Sequence, residues 1–212
     1  MKKLVPFLVL SILGLISLST QAHEDPSALV TATSEQVRSI LMKENGKNTD
    51  AVRAEVETVL LPRFDFTRMT ALAVGKSWKE ATVEQKNSLA LEFRTLLSNT
   101  YFNTMLRYRD VKIKIKPDVL VEFEGKQATV KSEVEMQDAN KPVAIDYVLY
   151  NTEEGWKVFN INVEGASLVT VYRNQFGDEI SKTGIDGLVK SLHEKNQTMQ
   201  ATTPPAASTK KG

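Results

Sequence analysis

The chain of 212 residues contains no cysteine. That excludes disulfides, thiol nucleophiles, cysteine metal sites and a lipid anchor attached through a cysteine. Only two histidines are present, His23 and His193. One is near the N-terminus and the other close to a polar tail, so catalytic dyads and triads that use Cys or His have little to draw on. HExxH and CxxC motifs and a glycine-rich phosphate loop are all absent; Gly75-Lys76-Ser77 lacks the earlier glycine such a loop needs. A surplus of charge is missing too. The formal charge is +1, and removing residues 1–22 takes away two lysines and no acid, leaving −1. A near-neutral chain gives no electrostatic reason to expect nucleic acid or a polybasic grip on anionic lipid.

What is present begins with an export signal. Lys2 and Lys3 precede an apolar run from Leu4 to Leu18, and Thr20-Gln21-Ala22 places small residues where a signal peptidase reads. The run is shorter than the roughly 20 residues a bilayer span needs, which favours a cleaved signal peptide at 1–22 over an uncleaved anchor.

Periodicity divides the remainder into a helical front, a strand-rich middle and a helical end. Helices are expected over Pro26 to Met42, from a Thr49 or Asp50 cap to Leu61, and over Phe64 to Leu72 with Gly75 closing the last. Thr82 and Gln85 form a capping box for the longest helix, which runs to about Arg107. Leu89, Phe93, Leu96, Leu97, Tyr101, Met105 and Tyr108 recur on one side of it. From Val111 the period becomes two. Strands are expected at Val111 to Ile115 (an edge guarded by Lys112, Lys114 and Lys116), Val119 to Phe123, Ala128 to Met136, Val143 to Leu149 and Trp156 to Val163. Phe159, Ile161 and Val163 should share a face of the last one. Short turns between strands imply an antiparallel meander, apolar on one face, that long helices must cover. A helix ending at Thr183-Gly184 and a short one from Ile185 to His193 close the chain. The segment 197–212, rich in Thr, Pro, Ala, Ser and Lys, is expected to be a disordered tail. The fold class is therefore α+β. One domain covers 23–196, with a helical part at roughly 23–80, the sheet at roughly 111–163 and closing helices at 165–195.

Three carboxylates, Asp65, Asp146 and Glu164, lie in apolar stretches. They suit either a general base in a cone-shaped pocket, as in an isomerase or hydrolase, or plain caps and ion pairs. The inward aromatics are core by default, and periodicity alone does not separate a filled core from a lipid cavity.

Three separated segments go further. LPRFDFTRMTALAVGKSW at 61–78, FRTLL at 93–97 continuing to Thr100-Tyr101, and WKVFNINVEGASLV at 156–169 followed by YRNQF at 172–176 resemble the MlaC family, the toluene-tolerance auxiliary proteins of Gram-negative bacteria. GIDGL at 184–188 fits the closing turn, while Asn160 stands where the family pattern has aspartate. The resemblance implies a nuclear-transport-factor-2-like sheet with a small helical subdomain. It implies a periplasmic, monomeric carrier rather than an enzyme, with no cofactor. Such a carrier exchanges phospholipid between an outer-membrane lipoprotein–porin complex and an inner-membrane ABC-transporter complex with its membrane-anchored lipid-binding subunit, which maintains outer-membrane lipid asymmetry. Acyl chains would then meet Phe66, Met69, Leu97, Tyr101, Met105, Tyr147, Leu149, Phe159, Ile161, Val169 and Tyr172. The cluster of Arg107, Arg109, Lys112, Lys114 and Lys116 is a docking candidate, although a solvated edge strand explains it as well. A periplasmic chaperone or scaffold with a filled core is the remaining alternative.

Overall fold

A computed structural model describes residues 25–135 and 141–201. The expected signal peptide, Met136 and residues 202–212 of the expected tail lie outside the described residues. Helix α1 (Pro26–Leu41) starts on Asp25, whose carboxylate accepts from the amides of Ser27 and Ala28. Helix α2 (Thr49–Leu60) starts on Asn48 without a side-chain cap. The expected cap Thr49 instead donates its hydroxyl to Glu44 at 2.9 Å. Helix α3 (Phe66–Val74) begins two residues later than the periodicity suggests. Phe64 is extended and bridges Val158 of the sheet in parallel, so Asp65 becomes the N-cap, accepting from the Arg68 amide at 2.8 Å. The expected capping box opens α4 (Val83–Arg107), with Thr82 and Gln85 each satisfying the other's backbone.

Strands β1 (Ile113–Glu122), β2 (Gln127–Val134), β3 (Val143–Thr152), β4 (Gly155–Val163) and the short β5 (Ala166–Ser167) form one antiparallel sheet in chain order. The two strands expected between Val111 and Phe123 are a single strand whose register shifts between Ile115 and Val119. Pro117 lies in that interval; lacking an N–H, it cannot donate to the ladder. A second shift, opposite Val148 and Leu149, inserts one extra residue in β4. Because a strand alternates faces at every residue, one insertion moves everything after it to the other side. Phe159 therefore does not share a face with Ile161 and Val163, contrary to the simple alternation.

Helix α5 (Leu168–Ala201) bends at Gly184, whose φ of 73° lies outside the helical region. The break expected there is a kink, and the helix continues past Gln197 to Ala201. Its last turns are tethered: Asn196 donates to the Glu92 carbonyl at 2.9 Å, His193 Nδ1 lies 2.8 Å from the Glu92 carboxylate, and Met199 packs on the core. Asn160 makes several hydrogen bonds through its side-chain amide. Its Oδ1 accepts from the Val169 amide and its Nδ2 donates to Asn162 and Ser167, tying β4 to the start of α5.

Helices pack on both faces of the sheet, each over part of it. On one, Val148 and Phe159 pack against α3, α4 and α5 around Met69, Leu89 and Phe93, all fully buried. Phe93 meets Tyr172 and Phe176 edge-on at 4.8 and 5.1 Å. On the other face Leu29 and Val30 of α1 sit over Ala128, Val130, Leu149, Trp156 and Val158. A third cluster joins the end of α1 to α2 and to Phe102 of α4.

Candidate functional site

Strand register defines the face beneath α1. Successive rows read Ile113, Val134 and Val143; Ile115, Ser132, Ile145 and Val163; Val119, Val130, Tyr147 and Ile161; Val121, Ala128, Leu149 and Val158. Every position is apolar except Ser132 and the Tyr147 hydroxyl, and no carboxylate stands on it. Helix α1 packs on the rows ending in Val158 and Ile161. Towards the other end, Ile113, Ile115, Val143 and Ile145 stay partly accessible and Val163 is 42% exposed. Tyr147 is diagnostic. Burial pushes its phenol up to about 12, only partly offset by hydrogen bonding with the Ser132 hydroxyl. Yet its side chain keeps accessible surface. Its hydroxyl is withdrawn from water while part of the residue stays accessible, which puts Tyr147 at the margin of the α1 cover, on what is the crevice face of the sheet. Ser132 is itself buried and donates to the Ile145 carbonyl at 2.7 Å.

The eleven expected contact residues divide among four environments. Tyr147, Leu149 and Ile161 lie on the crevice face. Phe66, Met69, Leu97, Phe159, Val169 and Tyr172 belong to the cluster on the opposite face, where Met69 is fully buried and Val169 is 4% exposed. Met105 packs in the third cluster. Tyr101 is at the surface; burial raises its pKa against the opposing effect of its hydrogen bond with the Tyr172 hydroxyl, while burial pushes Tyr172 up to about 12. Sequence reasoning thus found one face and the opposite face together, and missed Ser132, Val143 and Ile145 as neighbours of Tyr147. The available signal was the Val130, Ser132, Val134 alternation, in which a serine holds an apolar position.

Two of the three carboxylates take structural roles, and the third lies on the opposite face of the sheet from Tyr147. Asp65 caps α3, Asp146 pairs in register with Asn162 away from the crevice, and Glu164 accepts from the Ala144 amide at 2.7 Å and from Lys141 at 2.9 Å. The Ala144 hydrogen bond and then Lys141 hold Glu164 below the usual carboxylate range. That is opposite to what a general base at neutral pH requires. In the basic cluster, Lys116 pairs with Glu133 at 2.6 Å and Arg109 lies 3.9 Å from Glu44. Among the described residues no group of His, Cys, Asp or Glu could hold a metal ion, and no helix is long and apolar enough to cross a membrane.

Comparison with known proteins adds three findings. The family model for the MlaC protein matches residues 31–194. The toluene tolerance protein ttg2D of Pseudomonas putida is 28% identical over 182 residues, covering 84% of this chain and 83% of that protein. A phospholipid-binding protein of Ralstonia solanacearum, solved in complex with a phospholipid, superposes with a TM-score of 0.75 at 33% identity, covering 84% of this chain and 99% of that one.

Proposed function

Since the chain belongs to the MlaC family, we propose that it binds phospholipid by sheltering acyl chains in the crevice between α1 and the apolar face of the sheet. The observation that carries this reading is the partly accessible apolar surface around Tyr147 and Ile161 on a face without charge. Each CH₂ withdrawn from water contributes about 0.8 kcal/mol, so an acyl chain of some sixteen carbons would cost on the order of 10 kcal/mol if left in water. A dry, uncharged surface recovers that energy while asking little of the headgroup. Tyr147 and Ile161 are the lining we retain from the sequence, with Leu149 packed under α1 beside them. Phe66, Met69, Leu97, Phe159, Val169 and Tyr172 act as the packed support behind the sheet.

In this reading residues 1–22 export the chain to the periplasm, where it works as a monomer without catalysis. It carries lipid between an outer-membrane lipoprotein–porin complex and an inner-membrane ABC-transporter complex. Native mass spectrometry of protein purified from a bacterial periplasm, followed by solvent extraction, tests the first step. A stoichiometric increment that extracts as diacyl phospholipid is expected. A bare polypeptide mass that persists after incubation with phospholipid vesicles would replace the carrier with a chaperone or scaffold.

A further inference from the structure

A second cavity lies away from the sheet. A cleft of about 400 Å³ opens between α2, α4 and the end of α5, lined among others by Asp50, Arg53, Glu57, Arg94, Ser98 and Asn99. Its donors are underused. Arg53 donates to Asn99 Oδ1 at 3.3 Å and stacks 4.2 Å over the Phe102 ring, but neither Arg53 nor Arg94 forms an ion pair among the described residues, although two carboxylates share the cleft. The Asn99 amide nitrogen is buried with no hydrogen-bond partner. A buried donor left unsatisfied costs free energy that a ligand's acceptor would recover. Two guanidinium groups and an amide donor match the oxygens of a phosphate, which guanidinium binds in a two-pronged fashion. On the same wall the Asp50 carboxylate has no partner among the described residues, and Glu57 has only the Ser98 hydroxyl. A bare anion would be repelled by both acids, whereas an anion carrying its own ammonium would find partners of both signs in the cleft.

We propose that this cleft binds a phosphate ester bearing a primary ammonium group, the chemistry of phosphoethanolamine. It does not rest on the acyl-chain reading, because no cleft residue belongs to the crevice face. The shared chemistry has two sources, a soluble ester and a lipid headgroup. Amide resonances of uniformly labelled protein are followed on titration with O-phosphoethanolamine, inorganic phosphate and ethanolamine, and then with vesicles of phosphatidylethanolamine or phosphatidylcholine of equal acyl composition. Shifts centred on Arg53, Arg94 and Asn99 are expected with O-phosphoethanolamine, at least about tenfold weaker in Arg94→Gln, as for loss of a charged hydrogen bond. Glu57→Gln should weaken O-phosphoethanolamine and strengthen inorganic phosphate, since it removes the ammonium's partner and a charge that repels a bare anion. A response at these amides to phosphatidylethanolamine but not phosphatidylcholine vesicles assigns the headgroup; a response to the soluble ester alone assigns a free metabolite; either supports the site. Equal responses to O-phosphoethanolamine and inorganic phosphate, or no response at millimolar concentration, would overturn it. Should Arg94→Gln fail to fold, Asp50→Asn at the exposed end of α2 tests the ammonium half by the same titration.

Discussion

The helical core behind the sheet and the face beneath α1 are both built from apolar side chains and behave differently. Behind the sheet, α3, α4 and α5 press Met69, Leu89, Phe93 and Phe176 into contact and leave them almost without accessible surface. In front, α1 reaches only part of an apolar face, so Tyr147, Ile145 and Val143 stay partly accessible. Apolar composition therefore does not separate scaffold from site. The number of helices that reach a face does, because interiors pack densely only where opposing side chains are available to fill the space.

The sharpest way to break this contrast is to cut one residue on each side. Phe93→Ala should cost about 3–5 kcal/mol, since it removes a fully enclosed ring and leaves a cavity, and urea unfolding would measure it. A loss below about 1 kcal/mol would mean the rear core is as loose as the front. On the crevice face, Tyr147→Lys should lower co-purified phospholipid at least about tenfold, a shift of roughly 1.4 kcal/mol, while the circular dichroism spectrum stays native. Val169→Asp, behind the sheet, should unfold the protein instead. If Val169→Asp lost only lipid and Tyr147→Lys lost the fold, the two faces would have to exchange roles.

Alkaline titration sharpens the comparison without mutation. Tyr147 and Tyr172 are raised from 10.0 to about 12 in the folded protein. The folded state therefore holds those protons more tightly than the unfolded chain. The stabilisation is intact below pH 10 and is lost as pH rises towards 12. Absorbance of phenolate should show these two ionising late, in step with falling stability. Filling the crevice with lipid should delay Tyr147 further and leave Tyr172 unmoved. The smallest effect is expected far from both faces. Thr82→Ala removes half of the capping box and should cost about 1 kcal/mol in thermal unfolding, with lipid content unchanged.

Legibility followed the range of the interaction responsible. The cap and the break that were readable depend on neighbouring residues: Thr82 with Gln85, and the interruption at Gly184, which the structure shows as a kink. The meander and its lysine-guarded edge were readable from alternation and short loops. The site was readable only by half. Tyr147, Leu149 and Ile161 share a face by alternation, but Phe159 was grouped with them because nothing local announces the extra residue in β4. Phe102 was passed over beside Tyr101, since both neighbour the apolar stripe of α4 and only α1 and α2 decide which is enclosed. The closing helix outran its expected end because Glu92, about a hundred residues earlier, holds Asn196 and His193.

The sequence by itself determined an α+β chain without cysteine or a catalytic histidine pair, an antiparallel meander in chain order, and the segments that mark its family. All of these are encoded in composition or in neighbours along the chain. Only the tertiary structure decided which apolar face is sealed and which is left open, and that two arginines and an orphaned amide share a cleft with two acids. Those outcomes depend on where helices distant in sequence come to rest, and helix position is set by packing over the whole chain rather than by any local pattern.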